Sequence, residues 1–310
     1  MKLRDLPVVC VMMSTYNGEQ YICEQIDSIL RQSNVHVDLY IRDDGSMDST
    51  CDILRTYAAS NNNIKLSFGE NIGWKKSFMK MLENAPEADF YAFSDQDDVW
   101  MADKLSRACE NLEKEENQIA LYGSNVVVTD SKLNNVRLYN DKDRLVVNRP
   151  LKERLDLARM PGGLTYVFTP ELLKIMCRWL PTGDYGHDFI CYLLGTLFGK
   201  VIYDSQPSVY YRQHGNNQIG ADGGIGLRFK KNMKTLFSKS VPQKSIWASK
   251  VLELYPEISK DTEAKRYLEK LKEYPYNWKV KKELLKDGEL KRDTLINTFL
   301  LHIKICMNKW

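Results

Sequence analysis

Phe90-Tyr91-Ala92-Phe93-Ser94-Asp95-Gln96-Asp97-Asp98-Val99-Trp100 joins an aromatic-rich apolar run to three carboxylates within four residues. A short apolar run bounded by charge predicts a buried strand, so the acidic cluster falls at a strand's C-terminal end. Like charges packed this closely repel unless something positive sits among them. Hard divalent cations take oxygen ligands, and Mg2+ is commonly held by one or two carboxylates together with substrate phosphates. The segment therefore predicts a metal site at a sheet edge that receives a phosphate-bearing ligand. A solvated acidic turn is the plain alternative.

The chain upstream supports the first reading. Residues 8–13 form a continuous apolar run, as a buried parallel strand does, and break at Ser14-Thr15-Tyr16-Asn17-Gly18. Residues 19–31 carry Ile22, Ile26, Ile29 and Leu30 at helical spacing. A second strand over 35–41 ends in Arg42-Asp43-Asp44-Gly45-Ser46, and Asp48 or Ser49 caps the helix carrying Ile53, Leu54 and Tyr57. A strand over 64–68, a loop at 69–73 and a helix over 74–82 complete the alternation. Such an order predicts an α/β fold with a mostly parallel sheet, whose ligands bind outside the carboxyl ends of the strands. All three polar turns, after Met13, Ile41 and Phe93, belong to that edge.

Downstream the pattern predicts an exposed helix over 104–114, a strand pair over 120–129 and a loop with a short helix over 138–159. It continues with a strand over 164–168, a helix over 170–179 with Pro in its first turn, and a helix over 189–197 opened by Gly186-His187-Asp188. Short strands over 201–203 and 208–211 lead into Arg212-Gln213-His214-Gly215-Asn216-Asn217. The last part differs in charge. Residues 1–224 hold 24 basic against 31 acidic side chains, whereas residues 225–310 hold 20 against 10. Residues 227–237 and the final helix over 294–310 mix basic with apolar and aromatic side chains, the latter aligning Leu295, Phe299, Ile303, Met307 and Trp310. Basic amphipathic helices of this kind lie in membrane interfaces.

The seven cysteines are scattered without a C-x-x-C pair, which fits a reducing compartment. No apolar run is long enough to span a bilayer, and the first residues carry no signal-peptide pattern. Phosphate-loop, dinucleotide, zinc-protease and nucleophile-elbow motifs are absent, the histidines at 36, 187, 214 and 302 are dispersed, and no nucleic-acid module is recognisable.

In chain order, Val9-Cys10-Val11-Met12-Met13-Ser14-Thr15-Tyr16-Asn17-Gly18, Ile41-Arg42-Asp43-Asp44-Gly45-Ser46-Met47-Asp48-Ser49-Thr50, Asn71-Ile72-Gly73, the acidic stretch and His187-Asp188 resemble the motifs of inverting family 2 glycosyltransferases of the GT-A fold. The flavour is that of bacterial rhamnosyltransferases of cell-surface polysaccharide assembly. The resemblance spans residues 7–217 and says little of the C-terminal third. It implies a Rossmann-like GT-A catalytic domain over residues 1–220, followed by a basic helical region over 221–310. It also implies that Thr15, Tyr16 and Asn17 hold the nucleotide, partly through backbone groups. Asp44 would accept a hydrogen bond from a pyrimidine N3–H, a donor that uracil and thymine share. Asn71 and Lys75 would flank the base and phosphates, Asp95 would contact the ribose or the metal shell, and Gln96 would lie beside it on the nucleotide sugar. Asp97 would ligate Mn2+ or Mg2+ directly, Asp98 would back the metal or touch the donor sugar, and His214 would complete the metal or diphosphate site. Asp188 is implied as the general base, which inversion requires opposite the leaving group. It also suits a helix N-cap, which would fix the carboxylate at a helix start. Two positions depart from the pattern: Asp43, where relatives often carry an apolar residue, and His187-Asp188, where they usually carry Glu-Asp.

The expectation is a metal-dependent inverting glycosyltransferase, cytoplasmic and peripheral at the inner face of the plasma membrane. Its donor is dTDP-L-rhamnose or a UDP-sugar, and its acceptor a lipid-linked saccharide. The C-terminal helices are expected at the membrane surface, with a homodimer through them as a further option. A non-catalytic nucleotide-sugar-binding subunit of a polysaccharide assembly complex is the rival.

Overall fold

The computed structural model describes residues 6–139, 150–155, 162–179, 185–214, 243–260, 262–290 and 295–310. The chain divides into two compact units, residues 1–147 with 157–219 and residues 148–156 with 220–310. Residues 227–237 and most of the 138–163 stretch lie outside the described residues.

In the first unit, strand β1 (Val8–Thr15) lies between β2 (His36–Asp43) and β4 (Phe90–Ser94), with β3 (Ile64–Phe68) outside β2. All these pairings are parallel. Helices α1 (Ile22–Leu30), α2 (Thr50–Ser60) and α3 (Trp74–Glu83) connect them. Val9 through Met13 are completely buried, which is why the strand reads as an unbroken apolar run rather than an alternating one.

Beyond β4 the sheet becomes mixed. Strands β5 (Val99–Trp100), β6 (Ala120–Thr129), β7 (Asn135–Leu138), β8 (Val167–Phe168) and β9 (Lys200–Arg212) extend it in the order β3-β2-β1-β4-β8-β6-β9-β5, with β7 against β6. There β6–β9 is parallel and the other four pairings are antiparallel. Residues 120–129 are one strand rather than a pair, and residues 201–211 are one long strand rather than two. A register shift in β9 opposite Ser124 and Asn125 lets it carry the polar Asp204-Ser205-Gln206 segment without ending. The strand expected over 164–168 is mostly a 3-10 turn, Gly163–Thr165, before the two residues of β8. Helix α4 (Lys104–Glu113) is not an exposed helix: it buries Lys104, Leu105, Ala108, Cys109 and Leu112 along one face. Helix α5 (Leu151–Leu155) belongs to the second unit, while α6 (Pro170–Cys177) and α7 (His187–Phe198) complete the first.

A polar ladder running along α1 and just past its end positions the acidic loop. Gln25, Ser28 and Gln32 lie at i, i+3 and i+7, hence on one helical face. Gln25 Nε2 donates to Ser94 Oγ at 2.7 Å, and Ser28 Oγ accepts from Trp100 N–H at 3.0 Å. Gln32 donates to the Met101 carbonyl at 2.8 Å and accepts from Leu105 N–H at 2.9 Å.

The second unit packs α5 with α8 (Gln243–Leu254), α9 (Thr262–Glu273), α10 (Trp278–Lys286) and α11 (Leu295–Cys306). Lys152 of α5 pairs with Asp287 and Glu289, each at 2.9 Å. Tyr274 donates its hydroxyl to the Trp310 carbonyl at 2.8 Å. The face of α11 that packs is Leu300, Leu301 and Ile305. Of the residues expected on its apolar face, Leu295 is 91% exposed, Phe299 65% and Met307 45%; Trp310 is buried but lies beyond the helix. Among the described residues, no helix is long and apolar enough to cross a membrane.

Replacing Gln32 by Leu leaves the Leu105 N–H unmet in a buried setting and the Met101 carbonyl with the Lys104 N–H alone, at a cost of about 1–3 kcal/mol. Thermal unfolding should show a Tm lower by several degrees, whereas Gln32→Glu, which still accepts from Leu105, should recover part of the loss.

Candidate active site

The carboxyl ends of β1, β2 and β4 meet at one edge, and the turns leaving them are tied to one another. Asn17, held at φ 47°, donates its N–H to Ser46 Oγ at 2.9 Å and accepts from Met47 N–H at 2.9 Å. Asp43 ends β2 and accepts from Thr15 Oγ1 at 2.9 Å and from Ser46 N–H at 2.9 Å. Asp44 is buried; it pairs with Arg42 and accepts from Ile72 N–H at 3.0 Å and Gly73 N–H at 2.8 Å. Asn71 accepts from Gly73 N–H at 3.2 Å, and Lys75 stands in the first turn of α3, its Nζ 5.7 Å from the Trp74 ring centroid. Tyr16 is 41% exposed at the rim. Its backbone is gripped by Gln96, which accepts from Tyr16 N–H at 2.9 Å and donates to the Tyr16 carbonyl at 3.0 Å.

The acidic loop is closed by the end of β9. Val99 pairs with Tyr210 in an antiparallel register, which sets Asp97 opposite Arg212. Arg212 donates Nε to the Asp97 carbonyl at 2.9 Å and its own N–H to Asp98 Oδ1 at 3.0 Å. Its guanidinium also pairs with Glu24 and lies 4.5 Å from the Tyr21 ring centroid. Two residues on, His214 Nε2 lies 2.8 Å from Asp97 Oδ2, its ring stacked on Tyr21. Burial and the nearby charges of Asp97 and Asp188 push the Asp95 carboxyl up to about 7, with Lys104 pulling the other way. Burial likewise drives the Asp98 carboxyl well above the usual range, and its Oδ2 has no partner among the described residues.

Asp188 stands in the first turn of α7. It is not the N-cap, which is Gly186; its Oδ1 accepts from the adjacent Phe189 N–H at 2.8 Å. A Cβ at Gly163, in the 3-10 turn before β8, would lie 2.5 Å from Asp188 Cβ, so the residue stands against that turn, and its charge adds to those that raise the Asp95 carboxyl.

The chain matches the model of glycosyl transferase family 2 over residues 10–171. The chain belongs to this family. A dTDP-rhamnosyl transferase of Shigella flexneri, RfbG, is 30% identical over 233 residues, 71% of this chain and 77% of its own. An Escherichia coli UDP-Glc:alpha-D-GlcNAc-diphosphoundecaprenol beta-1,3-glucosyltransferase, WfgD, is 27% identical over 146 residues, 47% of this chain and 55% of its own. Among solved structures, Staphylococcus aureus TarS 1–349 in complex with UDP-GlcNAc superposes with a TM-score of 0.57 at 16% identity, covering 97% of this chain and 89% of that one. The mannosyltransferase PcManGT from Pyrobaculum calidifontis, in complex with GDP-Man and Mn2+, gives 0.50 at 16% identity, covering 98% and 86%. The fold is GT-A, with its sheet mixed.

Within this family 2 glycosyltransferase, the structure brings His214 onto Asp97 in the acidic loop, and the charges of Asp97 and Asp188 both act on Asp95. Among the described residues no three or more His, Cys, Asp or Glu side chains form a ready-made metal cage. The donor set would nonetheless suit a divalent ion bound together with a diphosphate. Asp97 and His214, 2.8 Å apart and hydrogen-bonded to each other, offer one carboxylate oxygen and one imidazole nitrogen. Several positions expected to touch the nucleotide sugar also hold the protein's own turns together. Thr15, Asn17, Asp44 and Gln96 spend their side chains on neighbouring turns, leaving exposed backbone and the Tyr16 ring at the rim. Arg212, Glu24 and the Gln96 bridge escaped sequence reading. Arg212 is 115 residues from its partner, and only the β5–β9 register brings them together.

Gln96→Ala removes both bonds that hold the Tyr16 backbone. Calorimetry should show dTDP or UDP, with Mn2+, binding about tenfold more weakly, equivalent to 1.4 kcal/mol, with little change in Tm.

Proposed function

We propose that this family 2 glycosyltransferase transfers L-rhamnose from dTDP-L-rhamnose, with inversion, to a lipid-linked saccharide during cell-surface polysaccharide synthesis. The observation that supports the reading is the Asp97–His214 pair closing the acidic loop, with the Asp188 charge acting on Asp95 of the same loop. The likeness to RfbG supports the donor, and WfgD, named for a diphosphoundecaprenol acceptor, supports the lipid-linked class. Thr15, Tyr16 and Asn17 line the nucleotide end, Asp44 and Asn71 the pyrimidine, Lys75 the phosphates, and Asp95 with Gln96 the ribose side. Asp97 and His214 would hold Mn2+ or Mg2+, which when bound supplies Lewis-acid stabilisation of the departing diphosphate. Asp188 accepts the proton of the acceptor hydroxyl as its oxygen bonds to the anomeric carbon. The bond to the diphosphate breaks on the opposite face, giving inversion in one displacement.

The enzyme would work at the inner membrane face. The exposed Leu295, Ile296 and Phe299 of α11, in a region with twice as many basic as acidic side chains, suit an anionic bilayer surface. Leu295→Glu with Phe299→Glu should abolish co-sedimentation with phosphatidylglycerol vesicles while leaving Tm unchanged. Equal sedimentation would remove the membrane role of this helix.

The central test is release of nucleoside diphosphate from a panel of dTDP- and UDP-sugars, with Mn2+, Mg2+ or EDTA and a bacterial membrane extract as acceptor source. Metal-dependent turnover selective for dTDP-L-rhamnose is expected, and selective turnover of a UDP-sugar would discard the rhamnosyl assignment. Asp188→Asn should lower kcat by about 10²- to 10⁴-fold, the usual range for a lost general base, while donor binding persists. A variant that keeps kcat would refute Asp188 as the base.

A further inference from the structure

His187 opens α7, one residue before the proposed base, and is 5% exposed. Its ring stacks on Phe78 with centroids 3.7 Å apart, meets Phe93 edge-on at 4.3 Å, and meets Trp74 edge-on at 5.9 Å. Three elements of the site thus meet at one imidazole. Helix α3 supplies Trp74 and Phe78 on either side of Lys75, β4 supplies Phe93 two residues before Asp95, and α7 supplies the ring itself. Burial pushes the imidazole down to about 4 despite the opposing pull of Asp188, so the ring is neutral near pH 7. A neutral ring leaves the Asp188 carboxylate uncompensated, as a proton acceptor requires. A carboxylate in the same aromatic slot would be desolvated beside a like charge.

The carboxylate of Asp188 is aimed by packing. Among the described residues its hydrogen bond is from the adjacent Phe189 N–H, which does not fix the turn in space. Two glycines close on it instead. A Cβ at Gly163 would lie 2.5 Å from Asp188 Cβ; one at Gly186 would lie 2.5 Å from Asp188 Oδ1 and 2.9 Å from the Trp74 ring. Trp74 is therefore shared between the slot around His187 and the wall beside Asp188. A shift of the His187 ring moves the turn that carries the base, in a space with no slack.

We infer that His187 is the positioning residue for the base: its ring, wedged among Phe78, Phe93 and Trp74, fixes the first turn of α7 and so the direction of Asp188 between Gly163 and Gly186. The inference rests on the reading of the chain as a transferase with Asp188 as base. By this account shape, rather than either ring nitrogen, is what the reaction uses. Among the described residues the buried Nδ1 has no partner, in keeping with that.

The test measures nucleoside diphosphate release under the same metal and membrane-extract conditions for wild type, H187A, H187F, D188N and the double variant H187A/D188N. H187A should lower kcat about tenfold or more with donor KM within about twofold, the pattern of a lost transition-state interaction. H187F, which refills the slot, should recover most of that kcat. In the D188N background H187A should add nothing, because there is no base left to aim. An additive loss in that background, a loss confined to donor KM, or an H187F as impaired as H187A would each overturn the inference. Should H187A fail to fold, F78L removes the stacking partner without touching α7 and is read against the same outcomes. If the wild type turns over donor and D188N does not, an active H187A sinks the positioning role alone. A wild type that turns over no donor sinks the functional reading and the inference together.

Discussion

Three carboxylates confined to one loop are the constraint around which the first unit is built. Burial and mutual repulsion push Asp95 to about 7 and Asp98 well above the ordinary carboxylate range, so the loop opposes its own conformation. It is held because both of its flanks are bonded elsewhere. The ladder on α1 fixes Ser94 before the acids and Trp100, Met101 and Leu105 after them. Arg212 fixes the acids themselves through the Asp97 carbonyl and the Asp98 carboxylate. Beneath lies a buried lysine, whose ammonium is pushed well below the usual lysine range by burial and pulled back up by Asp98 and Asp95. Lys104 is fully buried, its Nζ 3.3 Å from the centroid of the Trp100 ring, and its charge draws the Asp95 carboxyl down. Repulsion remains on the open side, where a divalent ion and a diphosphate would relieve it.

The turns after β1 and β2, proposed above as the nucleotide end, are organised on a different principle. There the polar side chains cross-link turns. Asn17 and Ser46 tie the turn after β1 to the turn after β2. Glu19 adds a further pair of bonds, receiving Ser49 N–H and giving its own N–H to Asp48. Asp44 draws in the loop before α3, and Gln96 fastens the β1 turn to the acidic loop. These turns are therefore cross-linked into one backbone surface, and a ligand meeting such a surface would pay little to order it. Side chains that a motif marks as nucleotide contacts can serve by holding the backbone that makes the contact.

How far the sequence reveals this depends on range. Strands β1 to β4 and their helices are legible because parallel strands buried on both faces read as apolar runs, and the turns between them are local; β3 falls where the pattern places it. The far half of the sheet is not legible. Strands of two residues, β5 and β8, carry no periodicity, and β9 hides its continuity behind a polar register shift. Gln25, Ser28 and Gln32 stand at helical spacing, but a polar stripe ordinarily means solvent, and here it means the acidic loop. In α11 apolar residues occur on two adjacent faces, and the pattern alone gives no preference between the Leu295–Phe299 face and the Leu300–Leu301 face.

Asp188 shows the same limit at the point where chemistry would occur. As a residue it reads equally well as a cap, and only the family resemblance marked it. What makes the placement specific is steric: glycine backbone at positions 163 and 186, and a ring of aromatic side chains around the residue just before it. Such placement leaves no charge pattern and no period in the sequence, because every element of it comes from a different part of the chain. It is also intolerant, since a close-packed surround transmits a small displacement instead of absorbing it. A base held by hydrogen bonds has part of its proton-accepting capacity engaged, whereas one held by packing keeps its lone pairs for the acceptor hydroxyl. On that ground a carboxylate facing an acidic loop is better aimed by glycine and aromatic walls than by a cationic partner, which would neutralise the very charge the reaction uses.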